Sequence, residues 1–209
     1  MSDWLIFGIG IVAQILFSGR MILQWILSER AKRVVSPSIF WILSIMASYM
    51  LFIYGWIRDD FAIILGQVIS YYIYIWNLNL KGVWPNVHVL VRIVLLLTPL
   101  CAIGYMLSDW SYHYVRLFEN GDIPLWLVVY GSAGQIIFTL RFVYQWYYSS
   151  KRGESVLPRG FWLISLTGSL VIISYAIYRE DPVLILGQST GAFVYLRNLF
   201  ILKKEVSKG

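Results

Sequence analysis

The sequence predicts an all-α integral membrane protein of seven transmembrane helices. They form two parallel three-helix repeats joined by an inversion linker helix, a 3+1+3 plan with the N-terminus outside and the C-terminus cytoplasmic. Three observations predict it. Of 209 residues, 59% are apolar and only 13% charged, about half the charge of a soluble domain and too little to cover a water-facing surface. Apolar segments near bilayer-spanning length recur along the chain. The chain also repeats itself at a fixed offset. An ordinary soluble enzyme is excluded on composition, and the length leaves room for seven helices and little else.

The segments fall at 4–27, 39–57, 61–80, 87–107, 124–148, 160–178 and 182–202, punctuated by Gly, Pro and charged residues. In the first, Met1-Ser2-Asp3-Trp4 puts an acid where a secretory signal has a basic region, so this segment is expected to be retained as a span. Asp60 precedes the third helix and Asp181-Pro182 opens the last; both aspartates read as N-caps, with Pro182 at the first helical position. Trp84, Trp110 and Trp126 near span ends are expected as interface anchors. With an odd number of spans, Arg30, Lys32, Arg33, Lys81, Lys151, Arg152, Arg159, Lys203, Lys204 and Lys208 share one side, while Arg58, Arg116 and Arg179 take the other. The richer side is cytoplasmic. These basic loops account for the net charge of +6 without nucleic acid as a partner; anionic lipid or a docked glycosyltransferase suits the same charges.

A shift of 121 residues aligns 14–80 with 135–201 without a gap, about a third of the pairs being identical. Segment 87–107 has no counterpart. The organisation is therefore a first repeat over 1–82, a linker helix and outer loop over 83–123, and a second repeat over 124–209. A three-helix unit ends on the side opposite its start, so one extra span is what lets the second copy keep the orientation of the first. Transporters built this way hold their substrate between the repeats near midplane.

At about 100° per residue, Gln14, Phe17, Arg20, Gln24 and Ser28 share one arc of the first helix, Pro37, Trp41, Ser44 and Ser48 one sector of the second, and Gln67, Ser70, Tyr74 and Asn77 one face of the third. The second repeat matches them with Gln135, Phe138, Arg141, Gln145, Ser149, Pro158, Trp162, Ser165, Ser169, Gln188, Tyr195 and Asn198, with Gly191 in place of Ser70. Facing lipid, these groups would lack partners, so the stripes should face one another. Interhelical hydrogen bonding alone would explain many of them. Arg20 and Arg141 stand apart: each is a charge inside an apolar helix, and all eleven acids lie in loops or near span ends. A planar guanidinium fork suits phosphate; snorkelling to the interface is the alternative, and the one expected for Arg92 and Arg197. With one cysteine (Cys101) and two separated histidines (His88, His113), neither a metal site nor a proton relay is expected, and no cofactor is implied.

The pattern Gln-x-x-Phe-x-x-Arg-x-x-x-Gln-Trp, then Pro-x-x-Phe-Trp, then Gly-Gln with Tyr-x-x-Asn, occurs in both repeats. It resembles the lipid A biosynthesis N-terminal domain family, named after a membrane segment preceding some lipid-A-disaccharide synthases and similar to PQ-loop and SWEET-like three-helix proteins. The resemblance covers nearly all of the chain outside 87–107 and implies the 3+1+3 fold and a link to lipid-linked sugars in the bacterial inner membrane. The synthase activity is not expected to carry over, since these residues read as the membrane segment without the glycosyltransferase domain, nor does the Pro-Gln dipeptide, since Ser38 and Arg159 follow Pro37 and Pro158.

The expected function is flippase-like translocation or handling of a lipid-linked sugar phosphate. Arg20 and Arg141 would bind phosphate, with Gln14, Gln135, Gln24, Gln145, Gln67, Gln188, Tyr74, Tyr195, Asn77 and Asn198 on the adjacent stripes. A facilitator of small neutral sugars, a membrane scaffold for a glycosyltransferase, and an enzyme using the outer acids Asp59-Asp60 and Glu180-Asp181 are the alternatives.

Overall fold

The computed structural model describes residues 3–57, 61–108, 125–178, 180 and 182–207. Among these it is all-helical, with seven α-helices: α1 (Asp3–Ala31), α2 (Ser38–Ile57), α3 (Phe61–Leu80), α4 (Val89–Ser108), α5 (Leu125–Arg152), α6 (Arg159–Tyr178) and α7 (Pro182–Val206), plus a 3₁₀ turn at Trp84–Asn86. Two of them contain stretches long and apolar enough to cross a membrane, Gly8–Ala31 and Arg159–Tyr178, and Ser38–Tyr54 and Val89–Tyr105 are shorter apolar stretches.

Helices α1, α5 and α7 run about four residues past their apolar segments. Their last turns hold Arg30, Lys151 with Arg152, and Lys203 with Lys204, cations that favour the negative end of the helix dipole. The turn after α1 passes through a left-handed residue, Lys32 at φ 53°, and its repeat counterpart after α5 is Gly153 at φ 67°. The geometry is the same, but only glycine adopts it without a Cβ penalty. Pro182 begins α7; Asp59, Asp60 and Asp181, with Trp110, His113, Arg58, Arg116 and Arg179, lie outside the described residues.

Within each repeat the middle helix packs on both neighbours, α2 on α1 and α3, and α6 on α5 and α7. The repeats then meet along two seams, α1 with α7 and α3 with α5. Close approach is built in: a Cβ on Gly168 of α6 would lie 2.8 Å from backbone atoms of Phe138 in α5. The core is aromatic, with Phe40, Trp41 and Tyr74 of the first repeat and Phe142, Phe161, Trp162 and Tyr195 of the second in one cluster. Trp84 belongs to it too, buried rather than an interface anchor, because the 3₁₀ turn folds it back onto α3. Helix α4 lies outside this core. Tyr72 Oη donates to Leu96 O (3.1 Å) and Trp56 meets Tyr105 at 5.7 Å between ring centroids, while Val89, Leu90, Ile93, Val94, Leu97 and Leu100 are left exposed.

Candidate functional site

The polar stripes converge where the repeats meet, and they do so crosswise. Gln24 of α1 pairs with Asn198 of α7: Gln24 Nε2 donates to Asn198 Oδ1 (3.0 Å) and Asn198 Nδ2 to Gln24 Oε1 (3.1 Å). Gln145 of α5 pairs with Asn77 of α3 in the same reciprocal way, at 2.9 and 3.0 Å. All four side chains are 0% exposed. Each glutamine also donates to the serine one turn on and to a carbonyl of the following loop: Ser28 and Val35 O for Gln24, Ser149 and Val156 O for Gln145. The amide groups thus satisfy one another and clasp the two repeats together.

Beside the clasps, one helical turn toward the N-termini of α1 and α5, lie the two arginines. Arg20 is 4% and Arg141 6% exposed. Arg20 Nη1 donates to Ser44 Oγ, which in turn donates to Phe40 O; Arg141 Nη1 donates to Phe138 O at 2.9 Å. Aromatic faces box both guanidiniums. Arg20 lies 4.5 Å from the Phe17 ring centroid and 5.5 Å from that of Tyr74, and Arg141 lies 3.3 Å from Phe138. Both face Phe142, at 5.5 and 4.5 Å from its centroid, so the two cationic carbons are at most about 10 Å apart.

Electrostatics makes this arrangement costly as it stands. At an effective dielectric constant of about 20, two unit charges about 10 Å apart repel by about 1.7 kcal/mol. Cation–π contacts stabilise each charge by about 0.5–2 kcal/mol without neutralising either. Neither arginine has a carboxylate partner among the described residues, and Arg20 Nε is buried with no acceptor. Two cations gathered about one ring, one of them with an idle donor, are the electrostatic complement of an anion.

The remaining expected residues divide. Tyr74 and Tyr195 are buried in the aromatic box, against Trp41 and Trp162 at 6.0 and 6.1 Å. Gln67 accepts from Ser48 (2.9 Å) and Gln188 from Ser169 (3.0 Å), joining the second and third helices of each repeat. Gln14 is exposed and Gln135 half-buried, so the stripe stops short of them. Three residues of the arrangement carried no signal as such. Phe142 bridges the arginines, but its repeat counterpart is Met21. Ser155, which donates to Asn77 Oδ1 (2.6 Å), sits in a loop and matches Val34. Glu29 pairs with Arg197, an arginine expected only to snorkel.

Fold and site together define a helical tandem-repeat protein with a cationic, aromatic centre between its repeats. The chain belongs to the Lipid A Biosynthesis N-terminal domain family, whose pattern matches residues 9–79 and again 130–200, two stretches 121 residues apart. It is 30% identical over 210 residues to the lipid-A-disaccharide synthase of Chlamydia caviae and 32% identical over 214 residues to that of Chlamydia felis. Each alignment takes in 96% of this chain but 33% of the relative, so the chain spans about a third of the length of the curated relatives it matches. No solved structure matches. Family membership ties the chain to lipid A biosynthesis.

Proposed function

We propose that this is a multi-pass protein of the bacterial inner membrane that binds a lipid-linked sugar phosphate of lipid A or envelope glycolipid biosynthesis and moves it across the bilayer. One observation carries the reading: two buried guanidiniums gather about the Phe142 ring without a carboxylate among the described residues, and one keeps an unused donor. A phosphate between them offsets their repulsion and accepts from Arg20 Nε and Arg141. The clasps hold the repeats closed around this site, and parting the repeats would free Gln24, Gln145, Asn77 and Asn198 for the headgroup. The parallel repeat plan supports translocation, since such repeats rock against each other about a central site. A neutral sugar would leave both charges unmatched, which weighs against a sugar facilitator.

The test is to identify by mass spectrometry the lipids that leave the membrane with gently purified protein, wild type against Arg20→Gln/Arg141→Gln. A lipid-linked sugar phosphate present with the wild type and absent from the variant is expected. Equal recovery of bulk phospholipid alone from both would overturn the reading.

The length of the relatives favours a second reading, a membrane scaffold for a glycosyltransferase. It requires that the double arginine variant leave the pathway intact, while neutralising the basic ends at Arg30, Arg33, Lys151 and Arg152 breaks it.

A further inference from the structure

The two seams between the repeats are related by the 121-residue offset, yet their residues have diverged. Along α3 and α5, Trp76 and Trp146 meet edge to face with centroids 6.4 Å apart. Along α1 and α7, the counterpart of Trp76 is Arg197 and that of Ser150 is Glu29. There the seam opens into a groove of about 580 Å³ lined by Trp25, Glu29, Phe193, Leu196, Arg197 and Phe200. Its inner end is apolar, where Trp25 meets Phe193 at 5.4 Å. One turn further on along each helix stands the charged pair, Glu29 on α1 and Arg197 on α7.

The charged end is held in a set posture. Trp25 Nε1 donates to Glu29 Oε1 (3.0 Å), and the same oxygen takes Nε of Arg197. Glu29 therefore engages one edge of the guanidinium. The terminal nitrogens Nη1 and Nη2 have no partner among the described residues, and the side chain is 40% exposed. A guanidinium fixed by its Nε–H with both terminal nitrogens free is a prepared phosphate fork. The walls below it are aromatic and aliphatic, which a free phosphate ion would leave bare.

We propose that the α1/α7 groove is a site for one phosphate-bearing membrane lipid, with the headgroup phosphate on Arg197 and an acyl chain along Trp25, Phe193 and Leu196. Charge complementarity with the fork and the polar-to-apolar gradient along the groove select an amphiphile, bound one per chain. The site is separate from the Arg20–Arg141 centre and does not rest on it.

The experiment is native mass spectrometry of delipidated full-length protein with phosphatidic acid, with diacylglycerol of the same chains, and with inorganic phosphate as competitor. The wild type and the Arg20→Gln/Arg141→Gln variant are both expected to retain one phosphatidic acid in preference to diacylglycerol. Arg197→Gln is expected to weaken retention about tenfold or more, the scale of losing a charge-assisted hydrogen-bonded contact. Equal retention of the two lipids by the wild type, an unchanged preference in Arg197→Gln, or displacement of the lipid by millimolar phosphate would each overturn the proposal.

Discussion

The crossed clasps look equivalent but are not equally backed up, and that difference is measurable. Replace Gln24 by leucine, similar in size and unable to hydrogen-bond. Asn198 Nδ2 keeps Val194 O (3.0 Å), but Asn198 Oδ1, fully buried, loses the one partner it has among the described residues. Val35 O also loses the amide. Make the matching change, Gln145→Leu, and Asn77 Oδ1 still accepts from Ser155 Oγ, Asn77 Nδ2 still donates to Ile73 O, and Val156 O still accepts from Ser149 Oγ. A buried polar atom left unsatisfied costs about 1–3 kcal/mol, against about 0.5–1.5 kcal/mol for a hydrogen bond whose partners find substitutes. Gln24→Leu should therefore cost about 1–2 kcal/mol more than Gln145→Leu. In thermal unfolding in mild detergent that excess lowers the midpoint by about 2–4 °C per kcal/mol for a chain of this size. Adding Asn198→Leu to Gln24→Leu removes the orphaned amide and should recover much of the loss. Equal costs for the two glutamines, or a double variant no better than Gln24→Leu alone, would refute the reasoning.

Three further outcomes are expected. Ser44→Ala takes away the one hydrogen-bond acceptor Arg20 has among the described residues and should destabilise by about 1.5–3 kcal/mol, the range for bonds to charged groups; Ser165→Ala, which loses a bond to Phe161 O, should cost about 1 kcal/mol in the same melts. Gly168→Ala drives a Cβ into the Phe138 backbone and should cost about 1–3 kcal/mol as overpacking does, visible as a lower unfolding midpoint. Lys32→Gly relieves a left-handed backbone carrying a side chain and should raise stability by about 1 kcal/mol, a gain that Lys32→Ala does not share.

Much of this was legible in the sequence, for identifiable reasons. The helices follow from apolar runs ended by Gly, Pro and charge, and α2, α3 and α6 fall within a residue of their expected limits. The polar faces follow from helical periodicity, which brought Arg20, Gln24, Tyr74 and Asn77 together with their second-repeat counterparts. Periodicity gives the face of a residue but not its partner across the interface. Gln24 and Asn198 are 174 positions apart, and no local pattern says that each glutamine meets the asparagine of the other repeat. For the same reason Arg197 gave no sign of meeting Glu29, 168 residues away. Trp84 was misjudged because span-end position favours interface anchoring, whereas the 3₁₀ turn that buries it depends on the tertiary fold.

The crossed pairing has an evolutionary corollary. Since the first helix of each repeat is matched by the third helix of the other, a three-helix unit is complementary to a copy of itself, as an isologous dimer requires. Two separate copies would meet through identical seams, and any substitution in one seam would appear in both. Covalent fusion raises the effective concentration of the halves and also frees each seam to change alone. The tryptophan pair on one side and Trp25, Glu29 and Arg197 on the other are what that freedom has produced: a molecule of twofold ancestry with distinguishable left and right flanks.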